Sequence, residues 1–185
     1  MKTVFNDRRA IIYGVVFSIA SYVTAAILAV GSSVYALGSF LDPIVTLTVP
    51  LILISIGLQA MNKRYSIILL ALINSLLYYI TSPALLFMVP TFLVSGVIDE
   101  VISWAIGYRG LRAVMINTTV VGGLIGVLSV FFGSILIGIY GSVPFSSLLL
   151  AYVIFGVIYF VESAIMGYIS YKIGSYLINS GIMKS

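Results

Sequence analysis

Long apolar stretches alternate along the whole chain with short turns that contain charged residues, glycines or prolines. A helix that crosses a membrane needs about 20 predominantly apolar residues, so stretches of that length predict spanning helices. Charges and Gly/Pro clusters mark where each helix ends. The pattern predicts six helices, at about residues 10–30, 44–60, 66–80, 85–106, 113–138 and 147–176. The second and third are short, and the sixth is long enough to tilt.

The composition identifies the solvent of these helices. Of the 185 residues, 62% are hydrophobic and 8% are charged, whereas a soluble domain is about half apolar and about a quarter charged. A soluble fold of this length leaves too much surface exposed to hide so much apolar area. The sequence therefore predicts an all-α integral membrane protein, with residues 1–185 forming a single transmembrane domain. Its expected location is the cell membrane, as a multi-pass protein.

The Lys and Arg residues predict the orientation of the bundle. They lie before the first helix, in alternate turns and near the end of the chain, at Lys2, Arg8, Arg9, Lys63, Arg64, Arg109, Arg112, Lys172 and Lys184. Cations close to helix ends are retained on the cytoplasmic side, so six spans with both termini cytoplasmic place all of them on one side. This sorting explains the net charge of +4, and no nucleic-acid partner is expected.

An alternative interpretation concerns the N-terminus. Arg8 and Arg9, followed by an apolar run and the sequence Ala29-Val30-Gly31, have the layout of a signal peptide. The apolar run is longer than the usual hydrophobic region of such a peptide, and retention as a spanning helix is favoured.

Missing residue types narrow the chemistry. The chain has no Cys and no His, so it offers no thiol nucleophile, no imidazole base and no zinc site. It also has no phosphate-binding G-x-x-x-x-G-K-[ST] loop, and it cannot grip ATP by the usual device. We therefore expect no enzyme activity, no cofactor and no metal, and any pumping requires partners.

Polar groups inside the predicted helices indicate candidate functional residues, because a carboxylate in a bilayer is costly. Three carboxylates qualify once loop charges and Asp42, assigned to the outer surface, are set aside: Asp99, Glu100 and Glu162. Tyr152, Phe155 and Tyr159 form an aromatic lane on the sixth helix, which leads from Tyr152 at the outer end to Glu162. Such a lane suits a flat organic ligand. The residues predicted to bind a substrate are Glu162, Tyr159, Phe155, Asn74, Tyr78, Asp99 and Asn117.

Each of these assignments has a structural alternative. Asp99 or Glu100 can pair with Arg109 or Arg112 to anchor a turn, and interface tyrosines are often only belt residues. Asn74 can simply donate a hydrogen bond to a neighbouring helix. Glu162 has no cation within several turns on its own helix, which favours a functional role.

Small residues mark one face of the first helix. A stripe that includes Ala10, Gly14 and Ser18 recurs along its whole length, and small residues allow helices to approach closely in lipid. We predict that these three residues dock a membrane partner. The alternative is that the stripe packs inside the bundle.

With these features the chain resembles the S component, the substrate-binding membrane subunit, of an energy-coupling factor (ECF) vitamin transporter. The resemblance covers nearly the whole chain: six spans, a small-faced first helix, no ATPase motif, and an acidic stretch at residues 96–100 followed by the basic turn 107–109. The ending at residues 172–182 is similar to the close of the thiamine or hydroxymethylpyrimidine type. The family's Ala-x-x-x-Ala motif is replaced by Ala10, Gly14 and Ser18, and the literal pair Ala25 and Ala29 lies farther out.

The resemblance implies a function and partners. Such a subunit binds a vitamin or precursor outside and releases it inside, by toppling against a membrane-embedded coupling subunit that two ATPase subunits drive. Its site would lie toward the outer face, on helices 4 to 6 and the outer loops 31–43 and 138–144. A thiamine-like or pyrimidine compound is the favoured substrate. The alternatives are a structural or assembly subunit without a small-molecule site and a small proton-coupled carrier, with an intramembrane enzyme ranked last.

Overall fold

The computed structural model describes residues 3–31, 40–137 and 145–183. Within these ranges the chain forms six α-helices and no β-strand. The helices are α1 (Arg8–Gly31), α2 (Asp42–Met61), α3 (Ser66–Thr81), α4 (Met88–Ile106), α5 (Leu111–Ile137) and α6 (Phe145–Asn179). Each predicted helix end lies within three residues of the observed one. The prediction of an all-α bundle of membrane-protein type is confirmed.

The helices form a ring in the order α1, α3, α4, α5, α6, α2, and α2 also packs across the ring against α5. Helix α2 is consequently the most buried of the long helices, whereas α6 is the most exposed. Close packing of α5 on α6 depends on glycine at 123 and 126, since a Cβ there would lie 2.5 Å from a carbon of Phe160 and 2.6 Å from one of Tyr159. These contacts set α6 directly against the carboxyl half of α5.

Five of the six helices are long and apolar enough to cross a membrane. Helix α3 has 16 residues, about 24 Å at 1.5 Å per residue, which is shorter than a hydrocarbon core of about 30 Å. The outer surface is apolar as well: Ile12, Ile27 and Val157 are 59%, 65% and 60% exposed. Such a surface matches lipid, which has no need of polar side chains facing it.

One end of the bundle, here named the basic end, gathers the start of the chain, the α2–α3 turn, the α4–α5 turn and the C-terminal residues. The Val4 N–H donates to the Arg64 carbonyl (2.9 Å), and Lys63 pairs with Asp7 (3.4 Å). Arg109 donates to the carbonyl of Gln59, which lies near the end of α2 (2.7 Å). These segments meet because consecutive helices run antiparallel. Every described Lys and Arg therefore lies in the half of the bundle toward the basic end.

Asp7 lies directly before α1, at the basic end. Its carboxylate accepts hydrogen bonds from the backbone N–H groups of Arg9 (3.0 Å) and Ala10 (3.4 Å), as an N-cap does. The Ala10 bond, joined by the Lys63 ammonium, lowers the pKa of the Asp7 carboxyl below its ordinary value. Asp7 therefore stays ionised and ties α1 to the α2–α3 turn.

The opposite end of the bundle is here named the cation-free end. Cysteine labelling can determine on which side of the membrane it lies. With the basic end cytoplasmic, a cysteine at Ala84 in the α3–α4 connection should react with an impermeant thiol reagent on intact cells, because this exposed residue lies at the outer face. A cysteine at Ser180, exposed at the basic end, should react only after the cells are opened. The chain has no native cysteine to interfere. Labelling of the Ser180→Cys variant in intact cells would reverse the orientation.

Candidate functional site

Three neighbouring cavities lie in the half of the bundle toward the cation-free end. The largest, named the mouth cavity, has a volume of about 90 Å³. Its lining comes from the end of α1, the start of α2, the end of α3, the start of α4 and the end of α5, and includes Tyr22, Ala25, Asp42, Thr46, Tyr78, Ser82 and Ser129. Since about 10–15 Å³ suffices for one water, the mouth cavity has room for several waters.

Two tyrosines shape the mouth cavity. Tyr22 and Tyr78 meet edge to face, with ring centroids 5.0 Å apart and planes at 83°. The Tyr22 hydroxyl bonds to the hydroxyl groups of Ser82 (2.9 Å) and Thr81, which joins α1 to the end of α3. Ala25 is 6% exposed and leaves beside Tyr22 the space that a larger side chain would fill. The two rings are thus held in place in the lining of the mouth cavity.

Below the mouth cavity lies a central cavity of about 10 Å³, and both share Tyr22, Ala25, Leu47 and Tyr78 in their lining. Asn74 lines the central cavity and is 1% exposed. Its amide nitrogen donates to the Leu70 carbonyl (2.9 Å), and its oxygen has no hydrogen-bond partner among the described residues. The structure therefore brings two predicted site residues, Asn74 and Tyr78, into the lining of one cavity.

The third cavity, named the Glu162 cavity, lies on the other side of Leu47 and also measures about 10 Å³. Glu162 and Tyr159 both line it, as the sequence predicts for a shared site. The Glu162 carboxylate accepts a hydrogen bond from the Thr48 hydroxyl of α2. With room for about one water, this cavity does not hold an organic ring in the present conformation.

The aromatic lane above Glu162 is covered by Phe40, the residue two before α2. The Phe40 ring stacks on Phe155 at 5.1 Å and 28°, and it meets Tyr152 edge to face at 5.4 Å. Its carbonyl accepts a hydrogen bond from the Tyr159 hydroxyl (2.5 Å). A ring of the chain itself therefore occupies the place predicted for a flat ligand.

Glu100 has a structural role at the basic end. Its carboxylate accepts hydrogen bonds from the backbone N–H groups of Tyr65 (2.6 Å) and Ile67 (3.2 Å), from the indole N–H of Trp104 (3.0 Å) and from the Tyr108 hydroxyl. The Glu100 carboxylate thus accepts hydrogen bonds from N–H groups at the start of α3, which have no acceptor within the helix itself. Burial, together with the bond to Glu100, raises the pKa of the Tyr108 hydroxyl above its ordinary value, so that Tyr108 remains a donor.

Asp99 and Asn117 lie apart from the three cavities, in the basic half. Both are 0% exposed. The Asn117 amide donates to the carbonyl of Gly107, just after α4 (3.0 Å), and neither carboxylate oxygen of Asp99 has a hydrogen-bond partner in the described ranges. No salt bridge joins Asp99 or Glu100 to Arg109 or Arg112 among the described residues. The alternative in which Asp99 or Glu100 pairs with one of these arginines is therefore wrong. Glu100 instead accepts hydrogen bonds from backbone and side-chain donors.

The predicted docking face of α1 also needs correction. Ala10 and Ser18 are 2% and 0% exposed, and a Cβ on Gly14 would lie 2.9 Å from Leu69 Cδ2 and 3.3 Å from Met61 Sδ. All three residues face the inside of the bundle, because small side chains let α1 approach α2 and α3. The internal-packing alternative describes this stripe, and the outward face of α1 is apolar instead.

Sequence reasoning missed several residues around the cavities. The sequence pattern assigns Asp42 to the outer surface, and it does not indicate a role for Tyr22, Thr48 or Phe40. One signal was available: Tyr22 directly follows Ser21 in the small-residue stripe of α1, where a large ring beside small side chains marks a gap. The Thr48–Glu162 bond joins residues 114 positions apart, and no pattern within one helix reports such a pair.

The comparisons with family models, with curated proteins and with solved structures find no match. The fold and the cavities therefore define a class only: an all-α bundle of membrane-protein type with three neighbouring cavities toward its cation-free end.

Proposed function

We propose that the chain is the membrane-embedded substrate-binding subunit of an ECF-type importer for a vitamin or vitamin precursor. It would act in the cell membrane with a coupling subunit and two ATPase subunits. The observation that carries this proposal is the position of the mouth cavity; a wider cavity of about 360 Å³ lies at the surface of the basic end, between the start of α1 and the end of α2. The mouth cavity lies at the cation-free end, which the positive-inside rule places outside the cell.

The basic half of the interior supports the same role, because large side chains fill it. Tyr108, Glu100, Gln59 and Met61 are each at most 2% exposed there. A ligand entering from the cation-free end therefore has no ready exit toward the basic end in this conformation. Release requires a large movement of the bundle, and the sequence has no phosphate-binding loop with which to power it alone. Partner subunits that supply this energy fit both facts.

A second candidate, the small proton-coupled carrier, is favoured by Asp99. Ionisable groups inside membrane bundles commonly mark proton pathways, and Asp99 is fully buried with both oxygens unpartnered among the described residues. Uptake by the chain alone in liposomes under a pH gradient would favour the carrier. Uptake that needs added partner subunits and ATP would favour the importer subunit.

The proposal predicts a bound compound. Mass spectrometry of the detergent-purified protein should detect a heterocyclic compound that is released on denaturation. An Ala25→Leu variant should lose most of it, because the larger side chain fills the mouth and central cavities that Ala25 lines.

The matched control lies two residues away on the same helix. Val23→Leu adds a similar side chain at a position 47% exposed, and it should retain the compound. A wild-type protein that carries no organic compound after purification from cells supplied with vitamins would contradict the proposal and favour a structural subunit.

A further inference from the structure

We infer that the mouth cavity binds a small organic cation with one flat ring, and that Asp42 is its counter-charge. This inference rests on the proposed function, since it names the substrate class of that site. It places the site on α1 to α4 with the end of α5, away from the aromatic lane of α6.

Charge comes first. Three stretches of sequence connect α1 to α2, α3 to α4 and α5 to α6 and include the adjoining helix ends: residues 24–50, 76–90 and 128–155. They contain one charged residue, Asp42. All Lys and Arg residues lie outside these stretches. A single carboxylate at the rim of a cavity, with no cation nearby to neutralise it, attracts cations and repels anions, and low-dielectric walls strengthen the effect.

The Asp42 carboxylate is also available for a ligand. Asp42 is the first residue of α2 and follows the N-cap residue, Leu41. The Thr46 hydroxyl bonds to the backbone carbonyl of Asp42 and not to its carboxylate (2.8 Å). Asp42 is half-buried in the lining of the mouth cavity, and its carboxylate is therefore free to face that cavity.

The ring faces favour the same ligand. Tyr22 and Tyr78 line the mouth cavity with Asp42, and the faces of aromatic rings attract cations through their quadrupole. Tyr78 is fixed from behind by Phe92, stacked at 5.6 Å and 26°. Pre-positioned rings bind a flat cation with little loss of their own freedom. An anionic vitamin would meet the Asp42 carboxylate and no cation in this lining, which is unfavourable to it.

Size limits the ligand. A volume of about 90 Å³ holds several waters and is smaller than the about 150 Å³ of a cavity that encloses a benzene ring. Because the mouth cavity is open at its rim, it admits one small ring that extends past the rim, and it is too small for a fused three-ring compound. The cavity therefore fits a protonated or quaternary single-ring heterocycle better than a large neutral one.

The test uses two compounds of the same outline near neutral pH: 4-aminopyridine, which is protonated there, and aniline, which is neutral. Binding to the detergent-purified chain is titrated by saturation-transfer NMR, with empty micelles as the blank. The wild type should prefer the cation by at least about tenfold, the scale of a charge-assisted contact. Asp42→Asn should abolish that preference while leaving aniline binding unchanged, and Asp42→Glu should restore it.

Two further variants keep the result decisive. Tyr22→Leu removes a ring face on a different helix and should also weaken cation binding, whereas Tyr22→Phe should preserve most of it. A loss of preference in Glu162→Gln but not in Asp42→Asn would overturn the inference and return the counter-charge to α6. Equal binding of both compounds by the wild type, or no binding of either, would overturn it as well.

The proposed function has a separate readout. If the compound found by mass spectrometry is neutral or anionic, the importer proposal stands and the cation inference fails. If no compound is found while the cation preference persists, the site is real and the importer proposal fails.

Discussion

Replacing Glu100 by Ala is expected to destabilise the protein by about 3–5 kcal/mol, the largest effect of any single substitution considered. The change removes one acceptor group from four donors: two backbone N–H groups at the start of α3, the Trp104 indole and the Tyr108 hydroxyl. Hydrogen bonds to a charged group contribute about 1.5–3 kcal/mol each, and a buried donor left without an acceptor adds a desolvation cost. Because the four bonds share one carboxylate, their contributions do not add fully.

The expected damage is local before it is global. Tyr65 precedes α3 with a φ of 66°, a left-handed conformation that is unfavourable for a bulky residue. Its N–H bond to Glu100 and its edge-to-face contact with Trp104 (6.1 Å, 89°) hold it there. Without Glu100, the first turn of α3 should fray and the α4–α5 turn should separate from it.

Trp104 is the only tryptophan in the chain and reports this change directly. Its fluorescence should shift in Glu100→Ala before unfolding, and a reversible unfolding titration in mixed micelles gives the free energy. Val101→Ala, one residue away and 56% exposed, is the matched control and should cost less than about 1 kcal/mol. Equal stability of the two variants would contradict the structural role assigned to Glu100.

The sequence predicted the fold well because the signal for membrane helices is long and repeated. Six apolar stretches and the turns between them determine the helix ends closely, as α3 shows with a predicted range of 66–80 and an observed range of Ser66–Thr81. The largest differences are three residues: α6 ends at Asn179 and not at 176, and α4 starts at Met88 and not at 85, after a short 3₁₀ turn at Pro83–Leu85. That turn is apolar, and hydropathy alone does not separate it from the helix.

The site was less predictable because it depends on pairs of residues far apart in sequence. The spacing on α6 correctly placed Tyr159 beside Glu162, since both positions belong to one helix. The contacts that α6 receives from other parts of the chain were not predictable in this way. Thr48 and Phe40 approach α6 only because α2 packs against it. In the same way, the sequence shows that α1 has a small face, but not whether that face meets another subunit or α2 and α3.

Gly14→Leu tests that last distinction and should destabilise the isolated protein by about 1–3 kcal/mol or more. Leu69 and Met61 already occupy the space beside Gly14, where even a Cβ would lie 2.9 Å from Leu69 Cδ2. Overpacking of a close helix contact costs about this much, because the neighbouring side chains must leave their preferred rotamers.

The control for Gly14→Leu is Val16→Leu on the outward face of α1. Val16 is 53% exposed, so the added methylene should meet only lipid or detergent and leave stability within about 0.5 kcal/mol of the wild type. Unfolding titrations of both variants in mixed micelles give the comparison, with no partner subunit present. If α1 packs as the structure shows, Gly14→Leu loses stability in this isolated state, and any loss of partner binding follows from the damaged bundle. If Gly14→Leu is as stable as Val16→Leu but no longer assembles with a partner, Gly14 lies on an intermolecular surface, and the packing of α1 against α2 and α3 described here is wrong.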